Sequence, residues 1–165
     1  MTPMNRQSGP RGGLRGVDPA AVDPVVVRRS RDLLERAEVL FDNADGVTDP
    51  AERFRQYYLS ALRAAGAAIE IHEPSNRPAR RRHSRSAWNR LPGVVPALAG
   101  HADYFAARSA LRLDIESGLV RTVDTPTLNA MRRRVIELLD ATEMLLIAYE
   151  QGKLPQQTIR ADRTA

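Results

Sequence analysis

Apolar residues recur at intervals of three and four over four long stretches of this chain, and short polar or proline- and glycine-bearing segments separate them. In the first stretch Val27, Ser30, Leu34, Ala37 and Phe41 share one helical face, widened by Val26, Leu33 and Leu40. Asp23 offers a side-chain acceptor to the free amides of a first turn, and Pro24 sits where its missing N–H costs nothing. The spacing predicts a helix from Pro24 to about Asn43 or Ala44, with Gly46 in the turn. The second stretch repeats the device: Asp49 caps, Pro50 opens, and Glu52 stands in the capping-box position. Its stripe is Phe54, Tyr57, Tyr58, Ala61, Leu62, Ala65, Ala68 and Ile69, and Ala64 to Ala68 is narrow enough for close approach of a neighbouring helix. Pro74, Ser75 and Asn76 predict its stop near His72 or Glu73.

A short helical turn is predicted from Ser86 to Leu91, broken by Pro92 and Gly93. A third long helix then runs from Pro96 in its first turn to Ser117, with Gly118 at the position after the C-cap. Leu98, Tyr104, Phe105, Leu111 and Ile115 form its apolar face. Thr125 and Pro126 open the fourth helix by the cap-then-proline rule. Leu128, Met131, Val135, Leu138, Thr142, Leu145 and Tyr149 follow at heptad spacing, and Gly152 ends it. The expectation is an all-α fold: an up-down antiparallel four-helix bundle with a short extra helical turn between the second and third long helices. A looser all-α domain that completes its core by dimerising is the alternative. Residues 1–22 read as a disordered basic tail, 23–152 as the bundle and 153–165 as a polar C-terminal tail.

Composition fits one domain of 165 residues: 42% are hydrophobic but only 5% aromatic, so Leu, Val, Ile and Ala must build the interior. With no cysteine, disulfides, thiol nucleophiles and cysteine-held metals are excluded. No run approaches the ~18 apolar residues of a membrane span, and the N-terminus lacks the apolar core of a secretory signal, so no membrane association and a cytoplasmic location are expected.

The net charge of +5 makes an anionic partner plausible. Lys153 is the only lysine, and a chain so rich in Arg and Ala has the codon bias of a GC-rich bacterial genome, which raises the background of arginine clusters. The densest cluster lies between the second and third helices. Arg77, Arg80, Arg81, Arg82 and Arg85 can each contact a phosphate, with His83 and Trp88 as stacking candidates. Trp88, opening a short helix beside a core, reads better as packing. In an up-down bundle this connector shares one pole with Arg28, Arg29, Arg31, Lys153 and both tails, while Asp42, Asp45, Asp49, Glu52, Asp114, Glu116 and Asp124 collect at the other.

Elsewhere the candidate chemistry is thin. His101 and Arg108 fall on one face of the third helix with Tyr104 and Leu111; the functional alternative is a polar site in a bundle or cleft with His101 as acid or base, and the preferred one an interhelical hydrogen bond or a partner for Glu70 or Glu143. Glu70 and His72 are two apart and share no helical face, so no metal set is expected and no cofactor is implied. Arg132 to Arg134 read as solvated or paired with Glu137, a partner surface being the alternative.

The order of motifs resembles a known family. RQYYLSALRAAGAA on the second helix, the arginine-rich loop, Ser-Ala-Trp at 86–88, YFAARSALR and a closing leucine-rich helix are similar to a small, mainly actinobacterial branch of the HEPN domains (higher eukaryotes and prokaryotes nucleotide-binding). The resemblance spans roughly residues 24–151. It implies a helical bundle that often dimerises and a family in which many members bind or cleave RNA. Ribonuclease-like members carry an Arg and a His four to six residues apart on a helix. Here only Arg77 and His83 fit that spacing, and they stand in a proline-interrupted loop. The branch implies no assigned activity.

The leading expectation is therefore a non-catalytic HEPN-type domain binding RNA or a protein partner, as the homodimer that the resemblance implies, through a basic surface centred on Arg77, Arg80, Arg81, Arg82 and Arg85. The alternatives are a HEPN ribonuclease using Arg77 and His83, or a structural interaction module.

Overall fold

Three aspartates start the three long helices, each by accepting from a first-turn amide. The structure, a computed structural model, describes residues 21–73 and 86–154. Asp23 accepts from the Val25 amide at 2.8 Å and opens α1 (Pro24–Gly46). Asp49 accepts from the Glu52 amide at 2.8 Å and opens α2 (Pro50–His72). Only half of the capping box forms, because the Glu52 carboxylate is drawn to Gln56 and Arg55. The last long helix, Thr125–Glu150, is capped by Asp124 and not by Thr125 as expected; Asp124 accepts from the Thr127 amide at 2.7 Å. A carboxylate is the stronger acceptor for those amides, and they hold its pKa below the ordinary aspartate value.

Between α2 and that helix come α3 (Ala87–Val94), a 3-10 turn (Pro96–Leu98), α4 (Ala99–Ala106) and α5 (Ser109–Glu116); the last long helix is α6 (Thr125–Glu150). Every regular element among the described residues is helical. Ser86, where the sequence predicts the short helix to begin, is its N-cap, and the helix is not broken at Pro92 and Gly93 as expected but continues to Val94.

The third long helix of the sequence reading is not continuous. At Ala107 and Arg108 the backbone opens, with Arg108 at φ −107° and ψ 3°. In an unbroken helix the Tyr104 carbonyl would accept from the Arg108 amide. That amide instead donates to Phe105 at 3.0 Å, and the Tyr104 carbonyl accepts from Arg108's own guanidinium at 2.8 Å. A side chain thus replaces the backbone donor at the break.

Two glycine ends, at Gly118 and Gly152, are as the sequence predicts, whereas Gly46, expected in the turn, is the last residue of α1. Gly118 (φ 77°) and Gly152 (φ 66°) adopt the left-handed conformation. Each closes a Schellman motif: Gly118 and Leu119 donate to Ile115 and Asp114, and Gly152 and Lys153 donate to Tyr149 and Ala148.

Side-chain pairs fix how the long helices lie. Arg29 meets Glu70, the Ser60 hydroxyl donates to the Ala37 carbonyl at 2.7 Å, and Asp45 meets Tyr57, so α1 and α2 run antiparallel. Asp23 with Tyr149 and Asp45 with Arg132 set α1 antiparallel to α6. Tyr58 with Ser109 places α5 against α2. Ala64, Ala65, Ala67 and Ala68 are completely buried, which is the close approach that the small-residue stretch predicts. The core continues through Phe54, Leu91, Phe105, Met131, Val135 and Leu138. Its aromatic centre is Trp88, stacked on Phe105 with centroids 4.9 Å apart, while Tyr58 meets both rings edge-on. The Trp88 Nε1–H donates to the Tyr58 hydroxyl at 2.8 Å, so the only tryptophan is a core residue.

Candidate functional site

The arginine-rich connector leaves α2 after Glu73 and returns at Ser86, and both anchor points belong to one end of the molecule. Arg90 on α3 donates to Glu73 at 3.1 Å, tying the return to the exit. The start of α1 lies there too, since Arg29 reaches Glu70 at 3.5 Å. So does the end of α6, where the Tyr149 hydroxyl accepts from the Asp23 amide at 3.0 Å and Arg31 pairs with Glu150. Arg77, Arg80, Arg81, Arg82, Arg85 and His83 lie outside the described residues, as do residues 1–20 and 155–165.

Charge divides unevenly between these parts. Residues 21–73 and 86–154 hold 15 Lys and Arg against 18 Asp and Glu. The remaining residues hold 10 Lys and Arg against 2 Asp and Glu. The helical body is therefore net acidic, and the excess positive charge sits in the connector and the two ends of the chain. Of the residues expected to reinforce the connector, Arg29 and Arg31 each face a carboxylate, as does Arg90 on α3. These exposed pairs add little stability but lower the local positive potential.

At the far end of α1, Asp45 accepts from Arg132 through both oxygens, at 2.8 to 3.2 Å, and from the Tyr57 hydroxyl. Those donors hold its carboxyl below the usual aspartate range, and burial beside Asp45 pushes Tyr57 up to about 12. Arg134 lies 3.7 Å from Glu137, as the helical spacing predicts.

A second polar cluster forms where α4 faces α6. The Arg108 Cζ stands 3.4 Å from the centroid of the Tyr104 ring, and the Arg134 Cζ stands 5.0 Å from the same centroid. His101, one turn before Tyr104, is held below the ordinary imidazole pKa by burial and then by the Arg134 charge, with Glu137 opposing. The expected partners Glu70 and Glu143 are replaced here: Arg108 folds onto its own helix, and the charges acting on His101 come from α6. The common helical face of His101, Tyr104 and Arg108 is readable from spacing. The arrival of Arg134 depends on helix register and leaves no local signal.

A family model described as SAV_6107-like HEPN matches residues 44–143. The chain belongs to this HEPN family. The matched region of this HEPN domain begins at the end of α1, includes the connector and the α4 cluster, and stops within α6. Comparison with curated proteins and with solved structures gives no match. No helix among the described residues is long and apolar enough to cross a membrane.

Proposed function

We propose that this HEPN domain is a non-catalytic RNA-binding module whose contact surface is the connector carrying Arg77, Arg80, Arg81, Arg82 and Arg85. We read its helices as an up-down four-helix bundle whose third member is broken at Arg108. The observation that carries the functional reading is the charge division. A net-acidic body repels a polyanion, so attraction must come from the connector and the chain ends, and five of those arginines fall within nine residues. Both connector anchors sit at one end of the molecule, which concentrates that charge. Trp88 is withdrawn from the reading as a stacking platform, because its ring is committed to Phe105 and Tyr58.

The test is photocrosslinking of the full chain to a single-stranded RNA carrying 4-thiouridine, with the crosslinked peptides mapped. Crosslinks concentrated in residues 74–90 support the proposal. Crosslinks confined to the helical body, or none at saturating RNA, contradict it.

A protein-partner or homodimer reading draws on a separate observation. Met144 is 66% exposed and Ile147 37%, one turn apart on the outer side of α6. In that reading Met144→Glu weakens self-association in sedimentation velocity, and an unchanged monomeric profile for the native chain removes it.

A further inference from the structure

We propose that His101, Tyr104, Arg108 and Arg134 form a phosphate-binding site on the face between α4 and α6, distinct from the connector. The proposal neither uses the connector nor requires it to bind. Four observations converge. The backbone break at Ala107–Arg108 is stabilised by Arg108 itself, which donates Nη1–H to the Tyr104 carbonyl and lays its guanidinium over the Tyr104 ring. That contact uses one edge of a planar fork with five N–H donors and leaves donor capacity on the others. A second guanidinium, Arg134, arrives from α6 at the same ring. Its carboxylate neighbour Glu137 is 3.7 Å away, and the two side chains are 42% and 55% exposed, a loose pair that an oxyanion can displace. Finally, two buried polar atoms of the cluster, the Tyr104 hydroxyl oxygen and His101 Nδ1, have no hydrogen-bond partner among the described residues. A buried polar atom is costly unless it is satisfied, and two within one helical turn of each other point to a shared ligand.

The chemistry selects the ligand. Two guanidiniums and a phenolic O–H are donors that match the oxygens of a phosphate, which accepts several hydrogen bonds and carries the compensating charge. His101 Nδ1–H completes the set, and the charged imidazolium does so more strongly than the neutral tautomer. Arg134 opposes the imidazolium form in the free protein and Glu137 favours it; a bound phosphate anion beside the ring favours it more strongly. Binding therefore takes up a proton and tightens as pH falls from 8 to 6. The phosphate can belong to a mononucleotide or to an RNA backbone, and the two share this recognition.

The experiment uses the full chain with 13C-labelled histidine. The His101 imidazole is titrated alone, with AMP, and with a single-stranded RNA, and affinities are measured at pH 6 and pH 8. The native protein should show His101 titrating at higher pH when ligand is bound and a several-fold tighter affinity for RNA at pH 6. Arg108→Gln and Arg134→Gln should each weaken binding by about tenfold, the loss of one charge-assisted contact. His101→Gln should abolish the pH dependence of RNA binding, because phosphodiesters keep one charge across this range whereas the AMP phosphate itself titrates at about pH 6. A response to AMP assigns the site to mononucleotide phosphate; a response to RNA alone assigns it to the backbone. A His101 titration unmoved by either ligand at saturation overturns the proposal, and it does so on the native chain whatever the variants' folding. Loss of RNA binding in a connector variant, with Arg108→Gln unaffected, removes this site and leaves the connector reading standing.

Discussion

Arg132 on α6 grips Asp45 on α1 through two nitrogens, with Nη2–Oδ2 at 2.8 Å and Nε–Oδ1 at 3.0 Å, and the Tyr57 hydroxyl of α2 donates to the same carboxylate. One aspartate thus joins the three long helices at a single point. Arg132→Ala should cost about 1 kcal/mol at neutral pH, the upper range for a half-exposed pair, because the geometry is bidentate and networked. Asp45 has a depressed folded pKa, so its contribution is present above the ordinary aspartate value and lost as pH falls through the folded one. The difference between native and variant midpoints in urea should shrink below about pH 4. Tyr57 gives the opposite limb: with its folded value raised to about 12, stability should fall as pH rises above the ordinary tyrosine value of 10.0.

Trp88 separates a stacking role from a hydrogen-bonding one. Trp88→Phe keeps a ring against Phe105 but removes the donor to Tyr58, and should cost about 1 kcal/mol. Trp88→Ala empties a core site and should cost about 3–5 kcal/mol. As the only tryptophan, Trp88 should give blue-shifted emission in the native protein that moves to the red on unfolding.

Two glycines should respond in opposite directions. Gly66 lies within α2, and a methyl group there would meet Leu33 Cδ1 at 3.7 Å, an ordinary contact. Gly66→Ala should therefore stabilise by about 0.5–1 kcal/mol through helix propensity. Gly118 holds φ at 77° to close α5, and Gly118→Ala should destabilise by about 1 kcal/mol. Thermal denaturation of the pair distinguishes a permissive glycine from a required one.

His101 gives a stability prediction independent of any ligand. Its folded pKa is depressed, so the fold favours the neutral ring. Stability should be unaffected by this residue above the ordinary imidazole value and should decline as pH falls from about 6.5 through the folded value. His101→Gln should flatten that decline between pH 7 and pH 5 in phosphate-free buffer.

Much of this architecture is legible in the sequence because it is local. Asp23-Pro24 and Asp49-Pro50 announce helix starts, Gly118 and Gly152 announce ends, and the Leu128–Thr142 spacing announces a buried stripe. What escapes is set by other elements. Thr125 reads as a cap until Asp124, one residue earlier, competes for the same amides. The third helix reads as unbroken because no proline or glycine marks Ala107; the break comes from a side chain turning back to Tyr104. Asp45 with Arg132 and Tyr104 with Arg134 are pairings of helix register, which no single stretch encodes. The connector arginines are visible as composition, and the structure adds the charge of the body against which they act.

The most direct test of the central claim is the salt dependence of single-stranded RNA binding, compared between the native chain and a variant with Arg80, Arg81 and Arg82 changed to Ala. If all five connector arginines contact phosphates, log Kd against log salt should have a slope of about 3.5, from roughly 0.7 per phosphate on single strands, and the variant should lose about 2 of it. Equal slopes for the two proteins, or native binding indifferent to salt, would contradict a connector-centred RNA surface.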